Sequence, residues 1–305
     1  MDAVVTGGAG FIGSHVADAL LARGDRVHVV DNLAGGRSDR IPAGAEFHEL
    51  DVREAGAIRS LFEQVRPAAV FHLAAKIDVR ASVENPRFDA DVNVGGTIEL
   101  IEAARPVGAR IVFSSTGGAL YGEADTIPSP ETTPCAPMAP YGTSKLCAEQ
   151  YLALSNRLYG TRHVALRYGN VYGPRQDPHG EAGVVAIFFG RLVAGQVPLI
   201  FGDGKQTRDY VHVADVVAAN LTASAYEGPV EAFNVGTSTE TSVIDLLERC
   251  QLAAGTALTP EHRPPRLGEL DRSCLDTALA QRELGWTAAM AMDEGLRGTL
   301  AALHP

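Results

Sequence analysis

The sequence has few cysteines and lacks any long hydrophobic run. Its four cysteines form no CxxC pair and adjoin no histidine cluster, so neither a disulfide framework nor a metal site is expected. No apolar stretch approaches the roughly 20 residues that a membrane-spanning helix needs. No basic segment follows Met1, as a signal peptide would require. We therefore expect a cytoplasmic protein that is neither secreted nor membrane-bound.

Basic residues are also in deficit, since 26 Lys and Arg stand against 37 Asp and Glu, a formal net charge of −11. This balance disfavours a nucleic-acid surface, although single basic side chains can still bind a phosphorylated small molecule. The 305 residues, 46% of them hydrophobic, are typical of a globular protein. At about 150 residues per domain, the length suggests two domains, or a large α/β domain with a smaller addition.

Short β-branched runs alternate with helical patterns over about the first 165 residues. The apolar runs at 27–30, 69–73 and 110–113 are continuous, which indicates strands covered by helices on both faces. The pattern predicts an α/β fold with a doubly wound parallel sheet. Beyond residue 173 glycine and proline interrupt the pattern, and helices are predicted at 184–192, 214–225, 242–250 and 277–284.

A glycine-rich loop follows the first predicted strand and opens a helix. It contains GxxGxxG at Gly7, Gly10 and Gly13, with Phe11 and Ile12 at the start of the helix. Glycines there permit a tight turn and close approach of the backbone to a pyrophosphate, and the helix N-terminus favours an anion. The alternative is a turn that is merely flexible, but the position between strand and helix favours a dinucleotide site.

Acidic residues follow the next two predicted strands. Asp31, with Asn32 beside it, can accept hydrogen bonds from the adenosine ribose and would repel a 2′-phosphate, so NAD is expected rather than NADP. Asp51 and Val52 are expected to flank the adenine. The alternative for Asp51 is a turn or a helix N-cap before Glu54.

A tyrosine and a lysine one helical turn apart form the candidate catalytic pair. The i, i+4 spacing of Tyr141 and Lys145 places both side chains on one helix face. A nearby cation favours the phenolate of tyrosine, whose pKa is otherwise about 10. Such a spacing is common on exposed helices and gains weight from the glycine loop. Ser115 and Thr116 end a predicted strand, where their hydroxyls could orient or relay the substrate proton.

With these motifs the chain resembles the extended short-chain dehydrogenase/reductase family over nearly its whole length, in particular the NAD-dependent nucleotide-sugar 4-epimerases. The matching segments are TGGAGFIGSH at 6–15, DNL at 31–33, HLAA at 72–75, NVGGT at 93–97, SSTGGALYG at 114–122, YGTSK at 141–145, RYGNVYGPRQDP at 167–178, FGDGKQTRDYVHVAD at 201–215 and FNVG at 233–236.

The resemblance implies a Rossmann NAD-binding domain over 1–173, rejoined by parts of 208–236, and a smaller nucleotide-sugar-binding α/β domain over 174–305. It implies a homodimer paired near 92–104 and 141–156, and an NAD that stays tightly bound and is regenerated in each turnover. Tyr141 matches the base, Lys145 the residue that binds the nicotinamide ribose, and Thr116 the hydroxyl that bonds the substrate. Further cofactor contacts are expected from Leu73, Ala74, Ala75, Asn93 and Tyr168.

The resemblance also implies a UDP-sugar site. Asn170 and Arg175 lie in one matching segment, and the remaining candidates are Phe201, Arg208, Arg266 and Glu269. Arginine suits a diphosphate because its fork bonds phosphate oxygens bidentately. The alternative for Arg208 and Arg266 is a surface salt bridge, and Glu269 stands where the family often has Asp.

Gly117 and Gly118 stand where related dehydratases and decarboxylases carry acids. The simplest chemistry is therefore inversion of C4 of a UDP-hexose through a 4-keto intermediate. A 4-keto-sugar reductase and a non-catalytic NAD-sensing regulator are the alternatives. The sugar stays open between UDP-glucose/UDP-galactose and UDP-glucuronate/UDP-galacturonate, because Arg80 or Arg175 could pair with a C6 carboxylate or lie solvated, and the small Ser273 would permit a larger 2-substituent.

Overall fold

The structure is a computed structural model and describes residues 1–178, 183–265 and 270–303. Its strands are β1 (Asp2–Thr6), β2 (Arg26–Asp31), β3 (Glu46–Glu49), β4 (Ala69–His72), β5 (Arg110–Thr116), β6 (Val164–Tyr168), β7 (Asn170–Tyr172), β8 (Leu199–Phe201), β9 (Thr207–Arg208), β10 (Tyr210–His212), β11 (Ala232–Val235), β12 (Thr241–Ser242) and β13 (Glu261–Arg263).

The helices are α1 (Phe11–Ala22), α2 (Ala55–Val65), α3 (Val79–Glu84), α4 (Pro86–Ala90), α5 (Gly96–Val107), α6 (Gly117–Leu120), α7 (Pro140–Tyr159), α8 (Val184–Val193), α9 (Val213–Ser224), α10 (Val243–Ala254), α11 (Ala278–Leu284) and α12 (Met292–Ala301). A 3₁₀ turn spans Ser38–Arg40, and a π-helical segment, Asp91–Gly95, joins α4 to α5. Within the described ranges no helix is long and apolar enough to cross a membrane.

The central sheet has seven strands in the order β3-β2-β1-β4-β5-β6-β11, and all its pairs are parallel. The chain first builds outward from β1 to β3 and then crosses back to β4. Ligands of such sheets bind beyond the carboxyl ends of the strands, where the strand order reverses. In this protein that place lies between β1 and β4.

Both faces of the sheet are covered, because successive strand residues point to opposite sides. On one face Val5 and Val29 pack with Val16 of α1 and Val216 of α9. On the other face Val4 and Val30 form a second core, to which α2, α5 and α7 contribute Phe62, Leu100 and Leu152. The prediction of a doubly wound parallel sheet is confirmed.

A third core lies in the C-terminal half, where Phe188 and Phe189 of α8 pack with Leu246 of α10 and Leu296 of α12. The four helices predicted there are present as α8, α9, α10 and α11. Parts of 208–236 return to the large sheet, since β11 pairs with β6 and α9 packs against α1. The boundary between two domains at residue 173 stays a prediction.

A buried histidine bridges the centre of the sheet and the helix layer. His72 ends β4 with 1% of its surface exposed. Its Nδ1 lies 2.8 Å from Thr6 Oγ1, and its Nε2 lies 2.9 Å from Thr97 Oγ1. Burial, with a smaller contribution from the charge of Lys145, lowers the pKa of His72 to about 3. The ring is therefore neutral in the folded protein at neutral pH.

This burial predicts a pH dependence of stability. The unfolded chain gains a proton at His72 near pH 6.5 and the folded chain only near pH 3, so stability is fully present above 6.5 and lost as pH falls between these values. Below pH 6 the unfolding free energy of the wild type should fall with decreasing pH more steeply than that of His72→Gln, by about 1.4 kcal/mol per pH unit. Urea unfolding at pH 7, 6 and 5 measures this, and parallel curves for the two proteins would contradict it.

Candidate active site

The glycine loop is held so close to its neighbours that side chains are excluded. Gly7 has φ of +71°, and a Cβ there would lie 2.6 Å from the backbone nitrogen of Ala74. A Cβ on Gly13 would overlap the Gly7 carbonyl. Gly10 is the N-cap of α1 and has no side chain to cap the helix, so the first N–H groups, at Phe11 and Ile12, can serve an anionic ligand. The loop fits a dinucleotide diphosphate.

Asp31 ends β2 beside this loop. Its Oδ2 accepts from Ala9 N at 3.0 Å and its Oδ1 from Leu33 N at 2.8 Å. The turn that follows packs tightly against the carboxylate, because a Cβ on Gly36 would lie 2.8 Å from Oδ1. Each carboxylate oxygen keeps further acceptor capacity. Asp31 is thus fixed in a position that suits ribose hydroxyls.

Asn32 and Asp51 meet next to Asp31, since Asn32 Nδ2 donates to Asp51 Oδ2 at 2.8 Å. Asp51 also accepts from the Arg53 guanidinium at 2.7 Å and from Arg53 N, and these bonds hold the pKa of Asp51 far below its usual range. The Asp51 side chain thus forms a turn, the alternative interpretation given above, and its contact with adenine stays a prediction. Val52 is buried against Gly96 at the start of α5.

The loop after β4 packs against the glycine loop. Leu73 N donates to Thr6 O at 3.1 Å, and the following Ala74 lies against Gly7. Leu73, Ala74 and Ala75 are half-buried there.

Asn93, in the π-helical segment, has an amide that is already engaged within the chain. It accepts from Lys76 N at 2.9 Å and donates to Lys76 O at 2.9 Å and to Asp89 at 3.0 Å. It fixes the loop at 75–76, so the prediction that it contacts the cofactor directly does not fit this placement.

Tyr141, Lys145 and Thr116 come together at the carboxyl edge of β5. The Tyr141 and Thr116 hydroxyls lie close enough for Thr116 to affect the pKa of Tyr141. Lys145 is 3% exposed, and its Nζ donates to Ser114 O at 2.7 Å and lies 4.6 Å from the centre of the Phe113 ring. Pro140 opens α7, where its fixed φ suits the first helical position. The predicted catalytic pair and the substrate hydroxyl therefore share one site.

The electrostatics of this pair depend on burial. Burial raises the pKa of Tyr141, with a further rise from Asp89 and an opposing hydrogen bond from Thr116. Burial lowers the pKa of Lys145 to about 8, against the charges of Asp89 and Glu149. The chain alone therefore keeps Tyr141 protonated, whereas the spacing of the pair predicts that Lys145 favours the phenolate.

Ser115 is separated from this group. Successive residues of a strand face opposite sides, so Thr116 reaches the site while Ser115 points into the protein. The Ser115 hydroxyl donates to Glu149 at 2.5 Å, and Glu149 also accepts from Arg167 at 2.7 Å. Arg167 donates in turn to the Tyr121 hydroxyl at 2.9 Å. The Ser115 hydroxyl is thus engaged within the protein, and a role in handling the substrate proton stays a prediction.

Sequence reasoning missed one acidic residue of the site. Asp89 of α4 is 2% exposed and accepts from Ser144 Oγ at 2.6 Å. Burial raises the pKa of Asp89, which Ser144, Lys145 and Asn93 oppose. On sequence alone Asp89 is an ordinary helix acid, because its partner lies 55 positions away.

Tyr168 and Asn170 line the edge of β6 and β7. The Tyr168 hydroxyl accepts from Asn220 at 2.8 Å, and burial raises the pKa of Tyr168 to about 12. Asn170 is half-buried and faces Gly118, where a Cβ would lie 3.4 Å from its Oδ1. A Cβ on Gly117 would lie 2.5 Å from the end of the Leu275 side chain, which would have to shift.

The remaining candidates for the substrate side are more scattered. Arg175 has φ of +68° and pairs with Asp18 of α1 at 2.6 Å, which fits an arginine outside the sugar pocket. Phe201 and Arg208 are half-buried at the ends of β8 and β9, and Arg208 donates to Thr207 O at 2.8 Å. Thr207 O also accepts from the backbone of half-buried Ser273.

Arg266 and Glu269 lie outside the described residues. Arg80 is exposed on α3.

Comparison with known proteins places this geometry in a family. A profile of the NAD dependent epimerase/dehydratase family matches residues 3–236. The UDP-glucose 4-epimerase of Mycolicibacterium smegmatis is 45% identical, over 98% of this chain and 97% of the relative. The crystal structure of the UDP-glucose 4-epimerase of Thermotoga maritima with UDP-glucose has a TM-score of 0.97 at 45% identity, covering 99% of this chain and 98% of that one.

The UDP-glucose 4-epimerase of Thermus thermophilus in complex with NAD is also similar, with a TM-score of 0.93 at 43% identity and coverage of 99% and 98%. The chain belongs to the NAD-dependent epimerase/dehydratase family. It is an NAD-dependent epimerase, and NAD is its cofactor.

The position of Asp31 makes the cofactor assignment testable. Asp31→Asn should weaken NAD binding about 10- to 100-fold, because a hydrogen bond to a charged acceptor contributes about 1.5–3 kcal/mol. Calorimetric titration of the cofactor-stripped protein with NAD measures this. Glu63→Gln, the same loss of charge on the exposed side of α2, is the control. Equal affinity of the Asp31 variant and the control would contradict the assignment.

Proposed function

We propose that the protein inverts C4 of a UDP-hexose, with UDP-glucose and UDP-galactose as the interconverted pair. The observation that carries the proposal is the meeting of Tyr141, Thr116 and Lys145 at the carboxyl edge of β5, with two glycines after Thr116 where an acid would serve other chemistry. The names of its most similar relatives support the same reaction.

The residues of the site have distinct tasks in this proposal. Thr116 holds the C4 hydroxyl of the sugar, and Tyr141 takes the proton of that hydroxyl and returns it to the same oxygen after the 4-keto ring has turned over. The chain alone keeps Tyr141 protonated, so in this proposal the positive charge of Lys145 would favour the phenolate together with that of a bound nicotinamide. NAD held by the glycine loop and Asp31 would supply reversible hydride chemistry at C4, so that no external oxidant would be consumed.

The neutral sugar is favoured over UDP-glucuronate. A C6 carboxylate would need a basic partner in the pocket. Arg175 is paired with Asp18, and Arg80 lies exposed on α3. The similar relatives named above, which are UDP-glucose 4-epimerases, also favour the neutral sugar. The 4-keto-sugar reductase and the NAD-sensing regulator are less favoured, because a regulator needs neither Tyr141 nor Lys145 and a reductase does not regenerate its cofactor.

Proton NMR of the purified protein tests the reaction and the sugar together. We expect a mixture of UDP-glucose, UDP-glucuronate and UDP-N-acetylglucosamine, without added NAD, to give the anomeric signal of UDP-galactose first. Faster conversion of UDP-glucuronate would overturn the choice of sugar. If no product formed even with added NAD, the epimerase proposal would fall.

Tyr141→Phe tests the assigned base. Loss of the phenol should lower turnover at least ~100-fold, the usual contribution of a general acid–base group, while bound NAD is retained. Tyr159→Phe, which removes a hydroxyl from the exposed end of the same helix, should leave turnover unchanged. NMR rates and the NAD released on denaturation give both readouts, and substantial activity of Tyr141→Phe would exclude Tyr141 as the base.

We also propose a homodimer formed by α5 and α7. The outer side of α7 exposes a stripe of apolar residues at helical spacing, Tyr151, Leu154 and Leu158. A groove of about 400 Å³ beside it is lined by residues of both helices and the π-helical segment, including Val94 and Ile98. Such a continuous apolar face on two adjacent helices suits a second copy of the same face.

A single charge in this stripe tests the dimer. Leu154→Lys should convert the protein to a monomer, because the ammonium would be buried without a partner. Leu252→Lys makes the same change on α10, where the side chain is 81% exposed, and should leave the dimer intact. Size-exclusion chromatography with light scattering gives the mass, and a monomeric wild-type protein would contradict the proposal.

A further inference from the structure

Two histidines and a glutamate form a cluster on the two outermost strands of the large sheet. His28 lies on β2 directly opposite Glu46 of β3, and His48 follows two positions later on the same face. His28 Nδ1 and His48 Nε2 are 3.1 Å apart. One carboxylate oxygen of Glu46 is 3.6 Å from His28 Nδ1, and the other is 3.6 Å from His48 Nε2.

These three groups are of the type that binds a transition metal. One ligand atom of each side chain lies within 4.8 Å of the other two, so small side-chain rotations would bring all three to the usual zinc–nitrogen and zinc–carboxylate distance of about 2 Å from one ion. Two histidines and one carboxylate, with a fourth position for water, are a known ligand set for zinc. Burial lowers the pKa of His48, so its ring is neutral and able to bind a metal at pH 7.

A second carboxylate lies near the other ring nitrogen of His28. Asp2 Oδ1 lies 3.9 Å from His28 Nε2, and Asp2 Oδ2 accepts from Arg26 at 2.6 Å. With a proton on Nε2 facing Asp2, His28 presents the lone pair of Nδ1 to His48 and Glu46. Histidines that bind metals typically have such a carboxylate on the opposite nitrogen, where it fixes the tautomer.

We propose that His28, Glu46 and His48 bind one divalent ion of the zinc type. The ion would tie β3 to β2. β3 is a strand of four residues at the edge of the sheet, paired on one side only. The cluster shares no residue with the NAD site or the catalytic group, so the proposal is independent of the proposed function.

Zinc titration of the metal-free, tag-free protein tests the site. We expect about one Zn²⁺ per chain and a rise in melting temperature on binding. His48→Gln changes a half-buried side chain and Glu46→Gln an exposed one. Loss of a residue that only hydrogen-bonds a metal ligand weakens binding roughly 10- to 100-fold, and loss of either ligand should weaken it at least as much. Glu49→Gln removes the same charge from the exposed end of β3 and should bind as the wild type does.

Cobalt gives a second readout that does not depend on stability. Co²⁺ in a four-coordinate site absorbs visible light strongly, and we expect this band in the wild type and in Glu49→Gln but not in His48→Gln. The proposal is overturned if the wild type takes up no Zn²⁺, or if His48→Gln binds it with unchanged affinity. In either case epimerase turnover, measured on the same samples, would report separately on the proposed function.

Discussion

A buried positive charge governs the arrangement of the active site. Lys145 extends into a nearly dry position, and an ammonium there is tolerated only with hydrogen bonds and opposite charge around it. Ser114 O accepts from it, and the carboxylates of Asp89 and Glu149 oppose the effect of burial. These acids are held by Ser144 and Arg167 respectively. The charge of one lysine thus links α7 to α4 and to β6.

Local sequence predicted the parts of the site that depend on neighbouring residues. The close approach of Gly7 to Ala74 requires glycine, and a helical turn alone brings Tyr141 and Lys145 together. Such constraints are visible within a few positions. The doubly wound sheet was predictable for the same reason, because continuous apolar strands need cover on both faces. Asp89 and Glu149 could not be recognised, since their roles arise from partners brought together by the fold.

Several polar residues of the matching segments form hydrogen bonds or ion pairs within the protein itself. The Asn93 side-chain amide is hydrogen-bonded to the backbone of Lys76, and Arg175 pairs with Asp18. Ser115 is a further case, because two adjacent strand residues face opposite sides of a sheet. A residue's membership in a motif indicates its neighbourhood, and only its contacts decide whether it meets the ligand or supports a residue that does.

The histidine cluster is a group of residues that the sequence alone did not indicate. Metal sites are recognised in a sequence by short spacings such as CxxC, and here His28 lies 18 positions before Glu46 and 20 before His48. The parallel pairing of β2 with β3 places His28 opposite Glu46 and brings His48 onto the same face. A proton shared between the rings would hold two strands with one hydrogen bond, whereas an ion would hold them with three ligands. The edge of the sheet, where β3 has a neighbour on one side only, is where that difference matters most.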